Sequence, residues 1–152
     1  MTDKPFRPIK VGRTQLRFFV KRGIERTPTK QPEGAVAPLL ISTPEATAYD
    51  LVRYATRVGG IERAAETIRP LLPLLRRSEL TRVLNVENEP AVAQRLGFVI
   101  EASGKKRLAK VVCDWLPDEL TPVTLAPAQG KRDNFPLIKR WQVLNNSSEL
   151  KV

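Results

Sequence analysis

Apolar and polar positions alternate with a period of two near the amino end of the chain. The alternating apolar residues are Phe6, Ile9, Val11, Leu16, Phe18 and Val20. Because Gly12-Arg13 interrupts this alternation, the pattern predicts a β-hairpin with its turn at these two residues. Pro8 lacks a backbone donor and places the first arm at a sheet edge. The polar residues 23–35 that follow contain glycines and prolines and predict a loop.

A short apolar run and a helix start come next. Residues 38–42 predict a brief buried strand, which leads directly into a capping sequence. Thr43 is suited to cap a helix, and Pro44 is suited to its first position. Ser42 and Glu45 have the spacing of a capping box. These residues therefore predict a well-defined passage from strand to helix.

Apolar residues then recur at helical spacing as far as Leu116, which predicts five helices. Gly59-Gly60 ends the first helix, a proline breaks the second near Arg69, and Ser78 caps the third. The fourth helix stops at Ser103-Gly104. The inward faces of the five helices, in order, are Ala48, Leu51, Val52, Ala55 and Val58; Ile61, Ala64, Ala65 and Ile68; Leu80, Val83 and Leu84; Val92, Leu96, Val99 and Ile100; and Leu108, Val112 and Trp115. Short links between amphipathic helices favour a compact antiparallel bundle.

The carboxyl end returns to a strand-like pattern. Residues 123–125 and 138–144 predict strands, with a loop over residues 126–136. Because strands bracket the helices, we expect an α+β fold in which a small mixed or antiparallel sheet, built from the N- and C-terminal strands, packs on about five helices. The parts of this single domain, 1–152, are a hairpin and strand, a helical part and C-terminal strands at 6–42, 44–116 and 121–145.

Composition excludes several classes of site. The chain has 152 residues, no histidine and one cysteine, so a Ser-His-Asp triad, a Cys-His pair, a His-based metal site and an intramolecular disulfide are all excluded. Cys113 lies in an apolar run and is expected to be a buried structural thiol. We expect no catalytic residue, no metal and no cofactor. No signal peptide and no apolar run of membrane-spanning length is present, so we expect a cytoplasmic protein without membrane association.

Charge points to a polyanionic partner. The 26 basic and 16 acidic residues give a net charge of +10, which is typical of nucleic-acid-binding domains. An acidic protein, an anionic membrane surface or simple solubility would also explain it. The candidate contacts to double-stranded DNA are Lys10, Arg13, Arg17, Lys21, Arg76, Arg77, Arg82, Lys105, Lys106, Arg107, Lys110, Arg132, Lys139 and Arg140.

The distribution of these cations favours contact with the phosphate backbone. They lie on the hairpin, at two helix starts and in the last loop and strand, and no zinc-finger, RNP-type, leucine-zipper or helix-turn-helix pattern accompanies them. The cluster Lys105-Lys106-Arg107 opposes the dipole of the helix that it begins. That unfavourable placement suggests that the cluster has a use outside helix stability.

Three passages resemble the AbiEi family of antitoxins. Residues 41–52, with the sequence ISTPEATAYDLV, are similar to a strand–S-T-P-E–helix passage of that family. Residues 93–101 are similar to its R-L-G-aromatic helix, and residues 140–146 are similar to its C-terminal strand. The passages occur in the family's order, and the hairpin before them fits as well.

The resemblance implies a non-enzymatic antitoxin of a type IV toxin–antitoxin system. Such an antitoxin is a transcriptional repressor of its own operon and counteracts a nucleotidyltransferase toxin without forming a stable complex with it. A winged helix-turn-helix domain normally precedes the domain seen here, and this sequence begins at the hairpin. We therefore expect base reading to come from a module absent from this chain, and backbone contacts from the basic surface.

Other interpretations remain open at this stage. A basic protein-interaction domain with an acidic partner and no direct DNA role would fit the same charge. An enzyme acting on a phosphorylated or nucleic-acid substrate would have as its candidate residues Asp50, Glu62, Asp114, Asp118 and Glu119. Of these, Asp118 and Glu119 are adjacent, so a loop could present both to a metal. The residues of the resembling passages also have structural interpretations. Asp50 would pair with Arg53 or cap a neighbouring loop, Arg95 would bind a carbonyl or carboxylate, and Gly97 would allow close helix approach.

Overall fold

The computed structural model describes residues 1–34, 39–127 and 134–152. Within these ranges the chain has five α-helices and seven short strands, which confirms the α+β class. The helices are α1 (Pro44–Arg53), α2 (Ile61–Ile68), α3 (Arg77–Glu87), α4 (Pro90–Ala102) and α5 (Lys106–Trp115). The strands are β1 (Ile9–Val11), β2 (Thr14–Leu16), β3 (Thr29–Lys30), β4 (Ile41–Ser42), β5 (Val123–Thr124), β6 (Leu137–Ile138) and β7 (Val143–Leu144).

The strands form three separate small sheets, so the expectation of one shared sheet was wrong. β1 pairs with β2 around the predicted Gly12-Arg13 turn, and β3 pairs with β4. In the third sheet, β7 lies between β5, which is parallel to it, and β6, which is antiparallel. Each strand therefore finds a partner close in sequence, except β5, which pairs across the 126–136 segment.

Two predicted segments differ in detail. The polar stretch 23–35 contains β3, which was not expected, and the strand predicted at 38–42 is confirmed only as β4, because residues 35–38 lie outside the described ranges. The strand predicted at 138–144 is two strands, β6 and β7, joined by a turn in which Gln142 has a φ of 48°. A residue in this left-handed conformation cannot continue an extended strand.

Most helix boundaries lie close to the capping residues, glycines and prolines that predicted them. The Thr43 hydroxyl accepts a hydrogen bond from the Ala46 N–H at 3.2 Å, so the predicted cap of α1 is confirmed. α1 stops earlier than expected, at Arg53, because residues 55–57 continue as a 3₁₀ turn before Gly59. The predicted break near Arg69 is confirmed, and the proline-containing segment that follows is a 3₁₀ helix.

The start of α3 is capped from a distance. Ser78 lies inside the helix, so its predicted capping role was wrong; the Arg76 N–H instead donates to the buried Glu45 carboxylate at 2.8 Å. The predicted capping box was also wrong, because the Ser42 hydroxyl lies 2.7 Å from the Thr47 hydroxyl. An acidic side chain at a helix amino end is favourable, because it complements the helix dipole. Glu45 therefore ties α1 to the start of α3.

The core lies between the helices, with α4 at its centre. Each predicted inward residue is buried or packs against the buried cluster, which confirms the five helical faces. α4 contacts α1, α5 and the strands β5 and β7, so it connects the helical part to the C-terminal sheet. Cys113 is partly buried and packs against the same cluster. Among the described residues, no helix is long and apolar enough to cross a bilayer.

Candidate nucleic-acid interface

The structure sorts the fourteen candidate DNA contacts by their surroundings. Arg132 lies outside the described residues. Of the other thirteen, nine are exposed and make no ion pair with any carboxylate of the described ranges. These nine are Lys10, Arg13, Arg17, Arg76, Arg77, Lys105, Lys106, Arg107 and Lys139. The remaining four make ion pairs within the domain.

Four of the nine cations line one cleft. Arg77, at the start of α3, faces Lys105, Lys106 and Arg107, at the start of α5, across a cleft of about 470 Å³. Its apolar lining comes from Leu72, Leu75 and Leu108. The structure therefore brings together two clusters that are distant in sequence.

Both helices present their amino ends to this cleft. At the other ends of α3 and α5, the Trp115 indole N–H donates to the Asn85 side-chain oxygen at 2.7 Å, so the two helices run in the same direction. The N–H groups of a helix's first turn carry partial positive charge. The cleft thus combines four cationic side chains with two helix amino ends, of which that of α3 already holds Glu45, an arrangement that favours anions.

Three other candidate cations already have carboxylate partners. Arg82 lies 3.6 Å from Glu79, and Lys110 lies 2.7 Å from Asp114, each pair within one helix. Arg140 lies 2.7 Å from Glu101 on α4 and also stacks over the Trp141 ring. A cation whose charge is already balanced contributes less to binding a phosphate than one without a partner.

Lys21 was wrongly placed on the basic surface. It is 1% exposed, and its ammonium lies 2.8 Å from Asp50 and 2.6 Å from Glu87. Glu87 also accepts a hydrogen bond from Arg53. Burial raises the pKa of Asp50 above its usual value, and the hydrogen bond from Lys21 partly opposes that rise. Lys21 therefore holds the N-terminal segment on the helices and is not accessible to a phosphate.

A second cleft, of about 520 Å³, lies near the carboxyl end of α5. It is lined by Lys139 and Arg140 together with Cys113, Asp118 and Glu119. Cations and carboxylates both line it, so the charge is mixed and the two acids face positive neighbours. Among the described residues, no three Asp, Glu, Cys or His side chains are grouped as metal ligands.

The C-terminal strands are held by side chains of α4. The Gln94 amide donates to the carbonyls of Thr121, Trp141 and Gln142, and Glu101 accepts the Trp141 indole N–H at 2.6 Å. The Trp141 ring, 0% exposed, packs directly on Gly97. We call these four residues, Gln94, Gly97, Glu101 and Trp141, the α4 latch.

Arg95 and Gly97 act as structural residues. Arg95 donates to the Thr124 carbonyl at 2.9 Å, which confirms the interpretation of Arg95 as a carbonyl ligand, and burial lowers its pKa. Gly97 does permit a close approach, but the partner is the Trp141 ring and not a helix. Asp50 pairs with Lys21 at 2.8 Å rather than with Arg53.

Sequence reasoning missed Glu45 and Glu87 as buried acceptors. Each receives a hydrogen bond from a residue more than thirty positions away, and no local spacing signals such a partner. Acidic residues inside an amphipathic helix are normally solvated. Glu45 was predicted only as a member of a capping box, and no pattern in the sequence singled out Glu87. Only the packing of separate elements shows their roles.

Comparison with known families decides the assignment. The profile of the AbiEi antitoxin C-terminal domain matches residues 5–102, which is more than half of the chain. The chain belongs to this family. The expected resemblance is thereby confirmed for residues 5–102, and with it an antitoxin role in a toxin–antitoxin system. Searches of curated proteins and of solved structures gave no match.

The family match covers four of the five helices of this AbiEi domain. It ends at Ala102, the last residue of α4, so α5 and the C-terminal strands lie beyond it. Within the cleft, Arg77 belongs to the matched range, whereas Lys105, Lys106 and Arg107 do not. The α4 latch likewise joins residues inside the match to Trp141 outside it.

Proposed function

We propose that this AbiEi domain is a non-catalytic antitoxin that binds double-stranded DNA through the α3–α5 cleft and so supports repression of its own operon. The observation that carries the proposal is the meeting of Arg77 with Lys105, Lys106 and Arg107 where two helices present their amino ends. None of these four has a carboxylate partner among the described residues.

Electrostatics favours an anion at this place. Cations at a helix start are unfavourable, by roughly 0.3–1 kcal/mol each when exposed. α3 and α5 begin with Arg77 and Lys106; the start of α5 has no side-chain cap, whereas at α3 the Arg76 N–H donates to Glu45. A DNA phosphate seated between them would neutralise the side chains and also accept hydrogen bonds from the helix N–H groups.

The cleft is suited to contact with the phosphate backbone. The polar part of its described lining consists of cationic side chains at two helix starts, which phosphate contact requires, and its apolar part comprises leucines. In the proposed repressor, sequence selectivity comes from a winged helix-turn-helix module outside this sequence, and the AbiEi domain adds affinity. The operon's second product would be a nucleotidyltransferase toxin, which the antitoxin opposes without a stable complex.

Removing two cations of the cleft should weaken DNA binding. For Lys106→Ala with Arg107→Ala, we expect affinity for duplex DNA to fall at least about tenfold at low salt. The slope of log affinity against log salt should decrease by roughly 0.9 for each phosphate that the variant no longer neutralises. Fluorescence anisotropy with the promoter of its own operon and with a duplex of unrelated sequence measures both quantities.

A matched variant separates the cleft from net charge. Arg82→Ala with Lys110→Ala removes the same charge, but from residues that already pair with Glu79 and Asp114. We expect this control to lose much less affinity than the cleft variant. Equal losses of affinity in both variants would mean that only net charge matters. If the parent domain binds neither duplex, the proposal of DNA binding is wrong.

A further inference from the structure

The N-terminal hairpin, β1 and β2, exposes an apolar face that no part of the described chain covers. Ile9 pairs with Leu16 and Val11 with Thr14, so Ile9, Val11 and Leu16 share one face of the ribbon. These three side chains are 50%, 61% and 48% exposed. Side chains of this type and number are normally buried in a sheet, because one face of an isolated hairpin cannot form a core alone.

The same segment is strongly basic. Residues 4–22 contain seven basic residues and no acidic one, and of the seven only Lys21 is neutralised by a carboxylate of the described ranges. Lys10 lies on the opposite face of the ribbon from the apolar residues, Arg13 lies in the turn, and Arg17 follows β2. Arg17 reaches the Gln15 side chain, at 3.4 Å. The ribbon therefore has an apolar face and an opposite face that carries basic side chains.

The backbone of the hairpin is also accessible. The sheet has two strands, so β1 and β2 each have one edge without a partner strand in the described part of the chain. Such an edge binds an extended segment through main-chain hydrogen bonds, while alternate side chains of that segment cover the sheet face. A nucleic acid or a lipid cannot supply these main-chain hydrogen bonds in strand register.

We infer that the hairpin is a docking surface for an acidic protein segment, which adds a strand to its edge and covers Ile9, Val11 and Leu16. Charge complementarity sets the chemistry of the partner: its apolar residues alternate with Asp or Glu. A second copy of this chain is disfavoured because two surfaces that each carry this positive segment repel one another. This inference is independent of DNA binding at the α3–α5 cleft.

The experiment uses a short, capped, fluorescent peptide in which glutamate alternates with valine or isoleucine. A peptide of the same composition, with its glutamates grouped at one end, is the control ligand. We expect the alternating peptide, and not the grouped peptide, to bind the full chain. Its binding should weaken as the salt concentration rises, and it should slow amide hydrogen exchange at residues 9–16. Failure of the alternating peptide to bind, or equal binding of the grouped peptide, overturns the inference.

Variants locate the binding. Ile9→Ser with Leu16→Ser should weaken peptide binding at least about tenfold, whereas Leu74→Ser, at a 57% exposed leucine outside the hairpin, should leave it unchanged. We expect both variants to fold, because none of the three residues lies in the core. Circular dichroism and thermal unfolding check this. If the hairpin variant retains full peptide affinity, the inference is wrong.

The same variants test three other occupants of the hairpin face: duplex DNA, a lipid surface and a second copy of this chain. Duplex DNA and vesicles containing phosphatidylserine are added to the parent chain and to the hairpin variant under the same conditions. A concentration-dependent dimer that disappears in Ile9→Ser with Leu16→Ser would assign the face to a second copy. Loss of DNA or vesicle binding in that variant, with peptide binding unchanged, would assign it to a polyanion, and each of these results overturns the inference.

Discussion

Replacing Gly97 by alanine will destabilise the AbiEi domain by about 2 kcal/mol or more, although alanine is the better helix former. A Cβ atom at Gly97 would lie 2.7 Å from Cε3 of Trp141 and closer still to Cζ3. The ring is 0% exposed and its indole N–H is bonded to Glu101, so it has little freedom to move away. The clash therefore outweighs the gain of at most about 1 kcal/mol in helix propensity. Urea denaturation monitored by circular dichroism measures the change in the free energy of unfolding.

A second background isolates the cause. Trp141→Leu removes the aromatic ring and keeps an apolar side chain, and in that background Gly97→Ala should be close to neutral or slightly stabilising. The remaining tryptophan, Trp115, reports unfolding by fluorescence in both backgrounds. If Gly97→Ala is equally destabilising with and without the Trp141 ring, then a clash with that ring is not the cause of the destabilisation.

The α4 latch joins a passage inside the family match to a passage beyond it. The R-L-G-aromatic passage at 93–101 contributes Gln94, Gly97 and Glu101, and the ending at 140–146 contributes Trp141. Residues that look like separate motifs in the sequence are thus two halves of one contact. Their chemistry is explained by packing and hydrogen bonding, which agrees with the structural interpretation that sequence analysis gave to Arg95 and Gly97.

Helices were predictable because their burial is periodic within a short window. Ile61, Ala64, Ala65 and Ile68 repeat at the spacing of one helix face, and all four are buried. Glycine and proline act locally too, so the break after Ile68 followed from the sequence. Local rules of this kind determined the helical part almost completely.

Pairings between distant residues were not predictable in the same way. Alternation correctly indicated the hairpin, but it also implied a buried face, whereas Ile9 and Val11 are at least half exposed. Alternation states only which residues share a face, and the presence of a covering layer depends on the rest of the fold. The cleft shows the same limit, because Arg77 and Lys105 meet only through the packing of α3 on α5.

Replacing Lys21 by methionine should cost about 3–5 kcal/mol of stability, the usual effect of removing one partner from a buried ion pair. The side chain is 1% exposed and lies between Asp50 and Glu87, so its loss leaves Asp50 without its cation and Glu87 with Arg53 alone. Adding Asp50→Asn should recover part of the loss, because the buried charge is then removed. Lys110→Met is the matched control: it breaks an equally short but exposed pair with Asp114, and we expect it to cost under about 1 kcal/mol.

The destabilisation by Lys21→Met should also depend on pH. Burial already raises the pKa of Asp50, and Lys21 opposes the rise, so the pKa of Asp50 in the folded variant will be higher still. A carboxyl whose folded pKa exceeds its unfolded value of about 3.9 binds protons more tightly when folded. The contribution of Asp50 to the variant's stability is then largest below about pH 4 and is lost as pH rises through the folded pKa. In thermal unfolding, the difference in stability between Lys21→Met and the parent should widen from acid to neutral pH, while Lys110→Met should show no such trend. A pH-independent difference for Lys21→Met would mean that Asp50 does not depend on this lysine for its charge.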